Sequence, residues 1–185
     1  MNRWISKLGR AGAALLVVAA VLVPAGGASA ADEVDGPWYI VSSAAGNRCL
    51  DVPAQSGGGN GTTLQVWDCY PPSQTNQMWW RRWRTSNTFE LISAANGRCL
   101  DAPAQWGGAD GKPIQLWDCY PPSQTNQMWR LMAPTVGWRL QSVGYSKVVQ
   151  AGPGQGNQNG TGVQSWYLDT GNLNQAWTLK SPNGF

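Results

Sequence analysis

The chain contains no histidine, so neither a Ser-His nor a Cys-His nucleophile pair can be assembled from it. Among the groups left to do chemistry are carboxylates, amides, tryptophans and four cysteines at 49, 69, 99 and 119. Two carboxylates about 5–9.5 Å apart would be a glycosidase pair. Asp51 and Asp101 each follow a cysteine by two positions, and Asp68 and Asp118 each precede one. Which of these meet depends on the elements that carry them.

Those elements are set by an internal repeat. Residues 67–79 read WDCYPPSQTNQMW, and residues 117–129 read the same. Most of Ser43–Trp79 recurs in Ser93–Trp129 at an offset of fifty. A third copy has drifted. Trp138-Arg139-Leu140-Gln141-Ser142 parallels Phe89-Glu90-Leu91-Ile92-Ser93, Gln164-Ser165-Trp166 parallels Gln115-Leu116-Trp117, and Asn174-Gln175-Ala176-Trp177 parallels Asn126-Gln127-Met128-Trp129. The repeats run about 37–84, 85–133 and 134–181. Each has short apolar runs separated by Gly, Asn, Ser and Pro; in the second they are Phe89–Ile92, Cys99–Ala102, Ile114–Trp117 and Met128–Met132. Runs of four or five residues between turn signals read as strands. No 3.6-residue period is sustained, so the chain after residue 31 is expected to be all-β, with twelve short strands in three lobes. Three such units can close a small barrel with few exposed edges. Pairing each cysteine within its own repeat, Cys49 with Cys69 and Cys99 with Cys119, respects the pseudo-symmetry. Each bridge would close a loop of about 20 residues, worth roughly 3 kcal/mol in a chain-entropy account. Val148 and Leu168 replace the pair in the third repeat.

The first thirty residues belong to a different reading. Arg3, Lys7 and Arg10 precede a mostly apolar run from Ala11 to Val23, and Ala28-Ser29-Ala30 ends it. This is the pattern of a secretory signal peptide over residues 1–30, cleaved after Ala30. The apolar run is about 13 residues, short of the roughly 20 a bilayer span needs. The protein is therefore expected outside the cell, with no membrane partner, where four cysteines favour disulfides over metal ligation. Three of the 13 basic residues leave with the signal, so 10 remain against 10 acidic ones. That balance offers nothing to a nucleic acid.

Several motifs now recur at fixed spacing. Three Gln-x-Trp endings stand at Gln77-Met78-Trp79, Gln127-Met128-Trp129 and Gln175-Ala176-Trp177. Upstream are Cys-Leu-Asp at 49–51 and 99–101, then Gln-x-Trp-x-Cys at 65–69 and 115–119. Residues 31–185 in this order resemble the ricin B-chain-like lectins, modules also appended to actinobacterial glycosidases. The resemblance implies a β-trefoil, a six-stranded barrel capped by a hairpin triplet, with one potential sugar pocket per repeat. It implies a first pocket of Asp51, Gln65, Trp67, Asn76 and Gln77, and a second of Asp101, Gln115, Trp117, Asn126 and Gln127. The third repeat keeps Trp166 and Asn174 but has Gln150 at the position of the aspartate. No cofactor or metal is implied.

The residue types suit such a ligand. A carboxylate accepts from two adjacent hydroxyls in charge-assisted bonds, an asparagine amide both donates and accepts, and an indole offers a rigid apolar face for the C–H side of a sugar ring. Gly-rich stretches at 57–61 and 107–111 are expected to let a loop curl over the ligand. Trp106, which replaces Ser56, offers a second stacking surface to the second pocket. Trp79, Trp129 and Trp177 occur in every copy and are expected in the core.

Other functions fare worse. Asp51 and Asp101 are repeat equivalents, so pseudo-symmetry puts them on separate lobes, and Asp68 and Asp118 face away from the neighbouring tryptophan. No enzyme is expected. The run Trp79-Trp80-Arg81-Arg82-Trp83-Arg84 mixes cations and aromatics as single-strand binders do, but it occurs once. A trefoil-type protein-binding or protease-inhibitor protein is the alternative, and duplicated Asp-Trp-Asn sets argue against it. The chain is expected to be a monomeric, free-standing lectin with two intact sites and a degenerate third. One irregularity is foreseen. Arg81 stands where Leu131 and Leu179 stand in the other repeats, and the interval from Trp79 to Phe89 is one longer than from Trp129 to Trp138. A bulge near Trp80-Arg81 is expected, turning Arg81 to solvent.

Overall fold

The computed structural model describes residues 32–44, 46–133, 136–152 and 158–185; the signal-peptide expectation for 1–30 lies outside them. The strands are β1 (Val34–Ser42), β2 (Cys49–Asp51), β3 (Gln65–Trp67), β4 (Met78–Trp83), β5 (Phe89–Ser93), β6 (Cys99–Asp101), β7 (Lys112–Pro113), β8 (Gln115–Trp117), β9 (Trp129–Met132), β10 (Arg139–Ser142), β11 (Val148–Ala151), β12 (Thr161–Trp166) and β13 (Trp177–Lys180). The only helical pieces among the described residues are five single 3-10 turns, as the absence of a 3.6-residue period requires. Thirteen strands stand against the twelve expected, the surplus being the two-residue β7 just before β8.

Six strands close a ring. β1 pairs with β4, β4 with β5, β5 with β9, β9 with β10, and β13 with β1. A bridge between Trp138 and Trp177 joins the last gap. The hairpins β2–β3, β6–β8 and β11–β12 form the cap. The expected β-trefoil is present. Its pseudo-threefold symmetry is clearest in the backbone of the cap. Leu64 N–H donates to Ile114 O, Ile114 N–H to Val163 O, and Val163 N–H to Leu64 O, at 2.9–3.0 Å. Each repeat thus satisfies the next, and no polar group of this cycle is left without a partner.

The core lies on the same axis. Trp79, Trp129 and Trp177 are fully buried, packed with Ile40, Leu91 and Leu140 and with Leu50, Leu100 and Val149. Each indole N–H reaches a carbonyl one element away, those of Leu50, Leu100 and Val149, at 2.9–3.2 Å. A buried indole donor needs such a partner, which explains why tryptophan persists even in the drifted repeat. Disulfides join Cys49 to Cys69 and Cys99 to Cys119, as the repeat predicted.

Two register expectations are corrected. The offset of fifty pairs Ser43 with Ser93, but the residues opposite the motif tryptophans are Ser42, Ser93 and Ser142. The first repeat therefore has one extra residue in the turn before Cys49. The foreseen bulge in β4 is also absent, because pairing to β5 is regular from Trp79↔Ser93 to Trp83↔Phe89. The extra residue of that interval sits in the hairpin loop 84–88, where it costs no ladder bond. The irregularity is on the other side, in β1, between Asp35 and Trp38. Arg81 does not turn to solvent. Its side chain is 15% exposed and forms a two-pronged ion pair with Asp35, at 2.8–3.2 Å, beneath Trp83.

Candidate functional site

β2 and β3 place Asp51 opposite Gln65, and a 3-10 turn, Thr75–Gln77, leads Asn76 and Gln77 in from the far side. Asp51 is buried at 3% exposure. One carboxylate oxygen accepts from Gln65 Nε2 at 2.7 Å; the other accepts from Asn76 Nδ2 at 2.9 Å and Gln77 Nε2 at 3.0 Å. A carboxylate has about four lone-pair directions, so roughly one is left for a ligand. Asn76 also donates to the Val52 carbonyl, which frees its oxygen as an acceptor. The second repeat repeats this. Asp101 accepts from Gln115 at 2.9 Å, Asn126 at 2.7 Å and Gln127 at 3.0 Å.

The two glutamines of the Gln-x-Trp motif have a narrower role than the others. Gln77 donates both amide hydrogens inward, to Asp51 and to the Asp68 carbonyl at 2.9 Å, and accepts from Tyr70 N–H at 3.0 Å. Gln127 does the same with Asp101, the Asp118 carbonyl and Tyr120 N–H. They hold the carboxylate and tie it to the strand end that presents the tryptophan.

Burial pushes the pKa of Asp51 and of Asp101 up, and the amide hydrogen bonds offset this only in part. Each carboxylate opens onto a cavity. The first, about 240 Å³, is walled by Asp51, Gln65, Trp67, Tyr70, Asn76 and Gln55. The second, about 190 Å³, has Asp101, Gln115, Trp117, Tyr120, Asn126 and Gln105 in the same places. Trp67 and Trp117 are half-buried, each presenting a flat apolar wall beside an anionic acceptor. That arrangement can grip a small ring having hydroxyls on its edge and C–H on its face.

The Ricin-type beta-trefoil lectin domain model matches residues 37–182. The chain belongs to this family. No curated protein matches the chain. Among solved structures, the designed three-fold symmetric protein ThreeFoil is 21% identical with a TM-score of 0.68, over 78% of this chain and 98% of that one. The Macrolepiota procera ricin B-like lectin, solved with lactose, is 19% identical with a TM-score of 0.61, over 82% and 97%. The exo-beta-1,3-galactanase 1,3Gal43A of Clostridium thermocellum is 21% identical with a TM-score of 0.65; the match spans 78% of this chain but 30% of that enzyme. At these identities the likeness is one of fold.

Within the lectin domain, Tyr70 and Tyr120 are wall residues that the motif reading passed over. The signal was present, since each directly follows the second cysteine in WDCY. Tyr120 Oη accepts from Trp117 Nε1 at 2.7 Å and so steadies that ring. Trp106 does not add to the second pocket; it lines a separate slot with Tyr145 and Lys112 at the junction of the second and third repeats. The glycine-rich stretches also act elsewhere than expected. Gly61 lies against Trp117, Gly111 against Trp166 and Gly160 against Trp67, where a Cβ would come within 3.2–3.9 Å of the ring. Each loop braces the tryptophan of the next repeat.

The third repeat has the scaffold without the charge. Gln150 Oε1 accepts from Gln175 at 2.9 Å and from Asn172 at 3.2 Å, while its amide donates to Gly152 O. Gln164, the counterpart of Gln65 and Gln115, has a buried Nε2 with no partner among the described residues, because the carboxylate that would accept from it is gone. Asp68 and Asp118 lie outside the pockets. Asp68 pairs with Arg48 and Asn159, and Asp118 with Arg98 and Asn60.

Proposed function

We propose that this protein is an exported, monomeric, non-catalytic lectin that holds glycans in two equivalent pockets, with the third silent. One observation carries the reading: a buried aspartate, fixed by three amides, opens beside a half-exposed tryptophan, and this occurs twice. Membership of a lectin family supports carbohydrate as the ligand class, and the Macrolepiota procera lectin was solved with lactose. In the third repeat a neutral glutamine replaces the charged acceptor. A charged hydrogen bond contributes about 1.5–3 kcal/mol against 0.5–1.5 for a neutral one, so the exchange costs close to tenfold in affinity. Shallow single sites bind on the order of millimolar, and a tenfold loss from there leaves no measurable occupancy. Two sites on one rigid body make the second contact with a polysaccharide intramolecular.

A glycan array identifies the sugar, and calorimetry then counts the sites. Two monosaccharides should bind per chain, with polymer held much more tightly than monomer. Asp51→Ala and Asp101→Ala should each remove one site. A double variant that still binds monosaccharide strongly would move the activity away from these pockets.

A further inference from the structure

Outside the repeat-related pockets, the first repeat carries a feature with no counterpart in the other two. Trp83 stands where Ala133 and Ser181 stand in the second and third repeats. It closes β4, five residues beyond the Met78 that follows the first pocket's turn. At about 3.3 Å per strand residue, that is roughly 15 Å or more from the Asn76–Gln77 turn.

The basic run around it is not a free cationic surface. Arg81 pairs with Asp35, Arg82 with Glu90, and Arg84 with both Glu90 and Asp32. These pairs fix the tryptophan instead. Trp83 Nε1 donates to Asp35 Oδ2 at 2.8 Å, its backbone N–H donates to Glu33 O at 2.8 Å, and its ring meets Phe89 edge-on at 5.3 Å. The Arg81 guanidinium lies over the ring, 4.5 Å from its centroid. The indole is thus held on a strand end by contacts on several sides. It also walls a shallow cleft of about 380 Å³, larger than either repeat pocket, whose other lining residues are Glu33, Thr85 and Ser86. The Glu33 carboxylate has no hydrogen-bond or ion-pair partner among the described residues. The 84–88 loop, with its extra residue, supplies the Ser86 hydroxyl, while that of Thr85 is taken up within the loop by Asn87 and Thr88.

We propose that this cleft is a further carbohydrate site, unrelated to the threefold repeat, in which a neutral sugar ring lies against Trp83 and donates hydroxyls to Glu33. The cleft combines an aromatic wall fixed by its neighbours, an unpaired carboxylate and the Ser86 hydroxyl, groups that suit the face and edge of a sugar ring. An organic cation would satisfy Glu33 equally well. Arg81 already draws on the electron density of the ring system, however, which weakens its pull on a second cation. Contact with the C–H face of a sugar depends less on that density.

The proposal rests on the glycan-binding reading, so the test separates the two. Indole N–H signals are followed by NMR in the wild type and in the Asp51→Ala/Asp101→Ala variant, with Trp83→Phe used only for assignment. The probes are an equal mixture of glucose, galactose, mannose and xylose at high millimolar concentration and, separately, choline chloride. The Trp83 signal is expected to shift with the sugar mixture in both proteins, and Glu33→Gln is expected to weaken that response about tenfold. A Trp83 signal that stays still while Trp67 and Trp117 move in the wild type overturns this site and leaves the lectin reading intact. Stillness at all three overturns both. A Trp83 response to choline and not to sugar overturns the ligand assignment.

Discussion

The two pocket aspartates work against their own folded state. An aspartate in an unfolded chain titrates near 3.9, and burial raises Asp51 and Asp101 above that ordinary range. The folded protein therefore binds these protons more readily than the unfolded one. Their ionisation subtracts from stability at neutral pH, and the penalty is relieved as pH falls through the raised values. Binding has the opposite sign, because the neutral acid loses the charge that strengthens its bonds to hydroxyls. Sugar affinity should therefore fall on acidification from pH above about 4, while the melting temperature does not fall on account of these groups. Asp51→Asn separates the effects. Its oxygen can still accept from Asn76 and Gln77, and Gln65 need only turn its amide over. The melting temperature should hold or rise while the first site loses about tenfold in affinity. Calorimetry and thermal melts on the one variant check both; a large drop in melting temperature would mean that the carboxylate is structural.

The strands that carry these residues were legible because their turns are written in Gly, Pro and Asn and their apolar runs are short. The β4–β1 edge was not, because its compensation is long-range. Arg81 is half-buried only because Asp35, 46 positions away, is brought opposite it by the irregular stretch of β1. No local pattern announces that partner. Asp35 also shows the reverse titration. Burial pushes it up, but hydrogen bonds from Arg81, Trp38 and Trp83 and the charge of Arg81 outweigh this, so its pKa is lowered. The stability it contributes is present above the unfolded value and lost as pH falls through the lower folded one. Asp35→Ala should cost about 2–3 kcal/mol, somewhat below a fully buried pair, because it strands the guanidinium among Trp38, Trp83 and Phe89. Adding Arg81→Leu, the residue type of the other two repeats, should recover most of that. Urea melts of the wild type, both singles and the double measure the coupling, and additive losses would show that the pair does not act as a unit. The same distance argument explains why the part played by Gly61, Gly111 and Gly160 was not legible at all: each acts on a neighbouring repeat.

At the scale of the whole molecule, the third repeat lacks the charge but not the function of closing the ring. Its Val163 both receives and passes on a cap hydrogen bond, its Gly160 lies against Trp67, and its Asn159 holds Arg48 and Asp68 of the first repeat. The second repeat makes the reciprocal contact through Asp110 and Lys147. A chain ended at 133 would leave the Ile114 N–H and Leu64 O without their partners and bare the faces of the two core tryptophans it keeps, Trp79 and Trp129. Burying a partial trefoil's apolar surface cannot offset that, since a repeat architecture gains its core only when its units stack. The 31–133 fragment should therefore show no cooperative thermal transition and no sugar binding, although it holds every residue of both charged pockets. A finer test leaves the fold in place. Gly160 has φ +86°, and a Cβ there would sit 3.7 Å from the Trp67 ring. Gly160→Ala strains a left-handed backbone position at a cost of about 1–2 kcal/mol, and the loop that shifts to relieve the strain is the one packed on the first pocket's tryptophan. Calorimetry should show one site weakened, the one at Asp51, with the Asp101 site unchanged. Loss at Asp101 instead, or at neither, would mean that the loops do not set their neighbours' tryptophans and that the third repeat supports the barrel alone.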